Sequence, residues 1–307
     1  MKVFLTGGRG MLGQHIKKQL ESAGHEVLSP SSVELNLLDA DATSESIKGA
    51  MPDVVVHSAA VVGGIQANID GGGRFLTENL AIDYSVIFGS KQAGVKNFIY
   101  IGSSCMYPTS RLEPLKVSDL LSGPLEPTNA SYALAKITGA KAVEAFDSDG
   151  DLNWKTFIAS NLYGPGDHFE PTRSHLVAAI ISKVHKAKDE ESKNIVMWGD
   201  GKVKREFTYV LDFAKWITQS ISSLEGFPSL LNVGCGIDFT VREFYEIAME
   251  ELNYEGKLIS DPTKPNGNLR KLMDSSVARG LGWHPSTSIN EGISITHSWF
   301  TENIINA

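Results

Sequence analysis

Short apolar runs alternate along the chain with longer mixed stretches. Residues 2–5, 25–28, 54–57, 97–101 and 154–159 read as strands, and the run Phe98-Ile99-Tyr100-Ile101 has the continuity of one buried on both faces. Between them, residues 11–22, 74–93 and 130–145 carry helical patterns, the last rich in alanine. This β-α-β-α order predicts an α/β protein with a doubly wound parallel sheet of the Rossmann type. Regularity breaks at Tyr163-Gly164-Pro165-Gly166. Beyond it we expect a helix over 174–187 with Ser174 as cap and His175 in its first turn. A strand over 194–198 and a hairpin-type turn at Gly199-Asp200-Gly201 follow. Further on come a basic segment at 202–207, a helix starting near 209, a strand at 230–234, and helices over 241–252 and 289–302. Residues 1–165 form the dinucleotide-binding domain, with 207–226 packing back on it. Residues 166–206 and 227–307 form a smaller mixed α/β substrate domain.

The turn after the first strand reads Gly7-Gly8-Arg9-Gly10-Met11-Leu12-Gly13. Gly7, Gly10 and Gly13 allow a tight turn, a close approach of a pyrophosphate and close packing of helix on strand. The helix start at Met11 and Leu12 offers open amides to phosphate. No acid stands immediately after the second strand, where one would meet a ribose 2′-hydroxyl; Glu34 is several residues on. Arg9, with Ser31 or Ser32, suits a 2′-phosphate, which favours NADP over NAD. Asp39 is placed either to meet the adenine edge or to cap the next helix. His57 closes the third strand and reads as structural. Ser58-Ala59-Ala60 after it are small enough to leave room for the pyrophosphate and the nicotinamide ribose.

Tyr132 and Lys136 lie four apart in the alanine-rich helix and share a face. An ammonium close to a phenol favours the phenolate, so Lys136 is expected to make Tyr132 more acidic. Ser103 follows the fourth strand, at the rim where ligands bind in open α/β sheets. A tyrosine, a serine and a lysine so placed can hold and protonate a developing oxyanion. Such a Tyr–Lys pair is common by chance. The strand-end serine and the upstream glycine turn give it weight.

The net charge is −8, which argues against nucleic acid or an anionic membrane as main partner. Two cysteines, Cys105 and Cys235, do not make a disulfide framework and fit a reducing compartment, taken as the cytoplasm. No apolar run is long enough to span a membrane, and the N-terminus runs straight into the glycine turn. No histidine or cysteine spacing suggests a metal.

Together the glycine turn, Ser103 and Tyr132-x-x-x-Lys136 resemble the extended short-chain dehydrogenase/reductase superfamily. Within it the chain is similar, nearly end to end, to the branch that epimerises and reduces GDP-4-keto-6-deoxy sugars. The motifs are Gly63-Gly64-Ile65-Gln66-Ala67-Asn68, Gly102-Ser103-Ser104-Cys105-Met106-Tyr107-Pro108, Leu125-Glu126-Pro127-Thr128-Asn129, Asn161-Leu162-Tyr163-Gly164-Pro165, Trp198-Gly199-x-Gly201, Arg205-Glu206-Phe207 and Arg270-Lys271. The resemblance implies Ser103, Tyr132 and Lys136 as a reductase triad, with Cys105 as base and His175 as acid for epimerisation. It places Lys136, Asn161, Leu162 and His175 along NADPH, and Lys183, Trp198, Arg205 and Lys271 on the nucleotide diphosphate. Lys183 stands where we associate an arginine with the branch. Arg173 and Arg270 are further cations that can neutralise the diphosphate. The implied reaction is C3/C5 epimerisation of GDP-4-keto-6-deoxy-D-mannose, then hydride transfer to C4. A sister enzyme on another GDP-4-keto-deoxy sugar is the alternative. A homodimer joined through helices 74–93 and 131–146 is also implied.

Overall fold

The computed structural model describes residues 1–109, 111–170, 174–263 and 269–306. The first part runs β1 (Lys2–Thr6), α1 (Met11–Ser22), β2 (Glu26–Leu28), α2 (Ala40–Ala50), β3 (Val54–His57), α3 (Ile65–Asp70), α4 (Gly72–Gln92), β4 (Asn97–Ser103), α5 (Ala130–Ser148) and β5 (Asn153–Ala159). It continues with β6 (Asn161–Tyr163), α6 (Leu176–Asp189), β7 (Asn194–Trp198), β8 (Lys204–Tyr209), α7 (Val210–Ser220) and β9 (Leu230–Val233). The remainder is β10 (Asp238–Thr240), α8 (Val241–Glu251), β11 (Lys257–Asp261), β12 (Arg270–Lys271), α9 (Ser276–Gly280) and α10 (Ile289–Phe300).

Six strands form a parallel sheet in the order β2-β1-β3-β4-β5-β9. Alternation explains why its strands are apolar throughout. Val3, Leu5, Val54, Val56, Ile99 and Phe157 face one core, shared with α1 and α7. Phe4, Val55, Phe98, Tyr100 and Ile158 face the other, covered by α2, α4 and α5. Burying a side chain such as Phe157 is worth about 2–3 kcal/mol, so the sheet is anchored from both sides.

A second group of strands centres on β8. It pairs antiparallel with β10, and parallel with β12 and β6. A third core, built by α6, α8 and α10 with residues of β6, β7, β8 and β10, lies beneath it. Three expectations change here. Asn161–Tyr163 is a strand rather than loop, drawn into pairing by β8. Gly199-Asp200-Gly201 closes no hairpin, because β7 pairs in parallel with the distant β11. Within the stretch assigned to the substrate domain, 227–307, Leu230–Val233 is instead the edge strand of the six-stranded sheet, and Trp283 packs in the first domain's core. Residues 210–220, helix α7, pack on α1. Among the described residues no helix is long and apolar enough to cross a membrane.

Candidate active site

Connections leave β1 and β3 in opposite directions, so their C-terminal ends bound a crevice. A cavity of about 290 Å³ opens there, lined among others by Gly7, Arg9, Gly10, Ser31, Ser32 and Ala59. Gly7 holds φ +74°, and a Cβ there would stand 2.7 Å from the Ala59 nitrogen. A Cβ on Gly13 would overlap the Gly7 carbonyl. The residue capping α1 is Gly10, which has no side chain to bond the first-turn amides, so Met11, Leu12 and Gly13 keep theirs for an anion. This cradle fits a dinucleotide pyrophosphate. Glu34, the acid nearest the end of β2, accepts the Ser31 N–H at 2.7 Å and is held low by that bond first, with Arg9 adding a smaller pull. Its position leaves Arg9, Ser31 and Ser32 on the cavity wall, a set suited to a 2′-phosphate. Asp39 takes the second of its two expected places: it caps α2 by accepting the Ala42 N–H at 3.0 Å, and Leu38 rather than Asp39 lines the cavity.

Farther along the rim, β4 ends on Ser103. Its hydroxyl accepts the Cys105 N–H at 3.2 Å and shapes the single turn Ser104–Met106 that carries the thiol. Asn129 stands at the N-cap of α5 but makes no side-chain cap there; its amide donates to Cys105 Sγ at 3.3 Å. Lys271 Nζ lies 3.9 Å from the same sulfur. Arg205 is the parallel partner of Lys271 across β8 and β12, and feels the charges of Glu126 and Cys105. Tyr132, in the first turn of α5, hydrogen-bonds to Ser103 and feels Cys105. Ser103, Cys105, Tyr132, Arg205 and Lys271 therefore form one group.

The expected acidification of Tyr132 is not found. Burial pushes the phenol well above its usual range, Cys105 and Asp83 add to this, and the Ser103 bond opposes it. The reason is where Lys136 points. Its long stem carries the ammonium to Asp83, 3.8 Å away, and over the Tyr100 ring, 4.0 Å from the centroid. Burial lowers Lys136, and Asp83 opposes that shift.

His175 is the N-cap of α6, one residue before the first turn. Its Nδ1 stands 3.7 Å from Asp167 Oδ1, and Asp167 raises it from its ordinary value against the effect of burial. Two turns along α6, Lys183 donates to the Tyr245 hydroxyl at 3.3 Å and sits 5.3 Å from the exposed Trp198 ring. Lys183 and Trp198 thus form a second group on the smaller lobe. Asn161 donates to the Glu206 carbonyl at 3.0 Å, and Leu162 packs against the first core. Arg270 is paired with Asp238 at 2.5 Å and donates to the Leu112 carbonyl at 2.8 Å, so its charge is already partly balanced. Arg173 lies outside the described residues. Asp83, Asn129 and Glu126 were assigned no role from sequence. Glu126 and Asn129 did leave a signal, as members of the Leu125–Asn129 motif just before α5, whereas Asp83 left none.

A glycine cradle at the switch point of a doubly wound sheet, with a serine, a tyrosine and a thiol along the same rim, defines a dinucleotide-dependent α/β enzyme class. A model of the NAD dependent epimerase/dehydratase family matches residues 3–234, and the chain belongs to that family. It is 44% identical to a GDP-L-fucose synthase of Azorhizobium caulinodans over 97% of this chain and 96% of that protein. A GDP-L-colitose synthase of Yersinia pseudotuberculosis is 38% identical over 98% of each. Among solved structures, a GDP-mannoheptose C4 reductase from Campylobacter jejuni with NADP bound superposes with a TM-score of 0.88 at 28% identity, covering 98% of both chains.

Proposed function

We propose that the chain is a bifunctional NADPH-dependent enzyme that converts GDP-4-keto-6-deoxy-D-mannose to GDP-L-fucose, epimerising C3 and C5 and then reducing C4. The observation that carries this is Cys105, seated beside Tyr132 with Lys271 and Asn129 on its sulfur. Reduction of a ketone needs the hydroxyls and has no use for a thiol; inversion at carbon does. The GDP-L-fucose synthase at 44% identity supports this substrate over that of the GDP-L-colitose synthase at 38%.

Protons at C3 and C5 are acidic because both carbons adjoin the C4 carbonyl. Cys105 removes a proton from one face, and the resulting enolate places its charge on the C4 oxygen. Ser103 and Tyr132 donate hydrogen bonds to that oxygen. His175, kept protonated more readily by Asp167, returns a proton on the opposite face. Gly7, Arg9, Gly10, Met11, Leu12, Gly13 and Ala59 would hold NADPH, whose nicotinamide supplies the hydride when bound. Tyr132, held in its protonated form by burial, then delivers its proton to the C4 oxygen. Arg205 neutralises the diphosphate beside the thiol group, and Lys183 and Trp198 hold the nucleotide on the smaller lobe. The enzyme acts in the cytoplasm as a homodimer joined through α4 and α5, where Tyr84 and Phe88 stack on the outer surface with centroids 5.3 Å apart.

Incubation with GDP-4-keto-6-deoxy-D-mannose and NADPH in heavy water tests this. We expect deuterium at both C3 and C5 of the product and about one NADPH oxidised per sugar. Reduction with neither carbon labelled rejects the epimerase half.

A further inference from the structure

We propose that Asp83 is the positioning residue for Lys136, and that Asp83 is itself oriented by His57 and Thr6 from the wall of the dinucleotide cleft. The inference rests on the reading of Lys136 given above. Asp83 on α4 is 2% exposed and Lys136 on α5 is 3% exposed. Asp83 Oδ1 lies 2.9 Å from His57 Nε2 and 3.8 Å from the Lys136 ammonium, while Oδ2 accepts the Tyr100 hydroxyl at 2.5 Å. An ammonium out of water keeps its proton and its place only if a counter-ion is fixed beside it.

The orientation of Asp83 can be traced back to the cleft. Burial holds His57 below its usual value, so the ring is neutral and carries one N–H. The Thr6 hydroxyl accepts the Ala59 N–H at 3.2 Å and lies 2.7 Å from His57 Nδ1. Thr6 therefore donates to Nδ1, and Nε2–H donates to the carboxylate. Thr6 and Ala59 both line the cavity. A single run of bonds leads from the cofactor wall, through β1, β3 and α4, to the ammonium on α5. Gly139 shows how closely these groups pack. Glycine weakens the middle of a helix, yet a Cβ there would stand 2.5 Å from the Tyr100 hydroxyl and 2.9 Å from Asp83 Oδ2. The groups facing Asp83 are His57 from β3, Tyr100 from β4 and Lys136 from α5, with Tyr132 also feeling its charge.

The test is lysine side-chain ¹⁵N NMR of the free protein, following the Lys136 ammonium with pH and identifying it by its loss in Lys136→Gln. In Asp83→Asn we expect its midpoint to fall by about one unit or more. The alkaline limb of the reductase rate should fall with it, and Asp83→Glu should return part of the shift. An unmoved midpoint, or a lower rate with an unmoved limb, overturns the proposal. If Asp83→Asn does not fold, the double variant Asp83→Asn/Lys136→Met decides. Recovery of folding supports the pairing, since both buried partners have gone, and continued failure overturns it. The NMR midpoint requires no keto sugar, so it stands or falls apart from the substrate assignment.

Discussion

Cys105 and Cys235 are both partly buried free thiols, and their surroundings separate them. Cys235 is pushed up to about 12, by burial first and by Glu206 next, so it remains a thiol at neutral pH. Cys105 instead receives an amide and an ammonium at its sulfur. Cys105→Ser is expected to slow deuterium entry at C3 and C5 by about 10²-fold or more, and to change reduction of a pre-epimerised ketone by less than about tenfold. Product NMR and NADPH absorbance measure the two rates separately. At this scale Ser103, Tyr132 and Lys136 were legible in the sequence, because strand-end position and a four-residue spacing are local properties. The direction of the Lys136 ammonium was not. It depends on Asp83, fifty-three residues earlier in the chain, and on a tyrosine in the middle of β4. Nothing in the local pattern of α4 marks one aspartate as a counter-ion.

Among the elements, β8 does the most. Neighbouring residues on a strand face opposite ways, so Arg205 can face the thiol group while Glu206 is buried behind it. Glu206 accepts the N–H of Gly236 at 2.6 Å and of Met273 at 2.9 Å, tying the β9–β10 turn and the residues after β12 to β8. Burial raises its carboxyl from 4.5 to about 7, against those two bonds. The folded state therefore holds this proton more tightly than the unfolded chain. The resulting stability is complete below pH about 4.5 and is lost as pH rises through about 7, a change on the order of 3 kcal/mol. Glu206→Gln cannot titrate and should flatten this part of the profile. Calorimetric Tm from pH 5 to 8 should fall toward the alkaline side more in the parent than in the variant. The Arg-Glu-Phe motif was visible in the sequence, but this role was not, because both amides come from segments that approach only in the folded molecule. The Gly-Asp-Gly turn misled for the same reason: its chemistry suits a hairpin, while the partner of β7 lies far along the chain.

Over the whole molecule, α4 and α5 together carry exposed apolar residues on their outer faces. Tyr84 is 56% exposed, Phe88 39% and Leu134 44%, an arrangement that suits contact with a second copy. On the proposed homodimer, Phe88→Glu is expected to weaken association by about 2 kcal/mol or more; sedimentation velocity at micromolar concentration should show dimer for the parent and monomer for the variant. The sheet and its glycine turn were read correctly from the chain because a doubly wound fold repeats one local unit. In the smaller lobe α6, β7, α8 and α10 were legible, but β8, β10, β11 and β12 were not, because each is short and is held by a partner from a distant segment. Helix α5 joins these scales: Tyr132 and Lys136 look inward, while Leu134 between them looks out. In the proposed homodimer that outer stripe is covered by the second copy, so a compound that parts the two copies there would press on the reactive groups from behind. It would offer a way to inhibit the enzyme in which neither natural nucleotide competes for the spot.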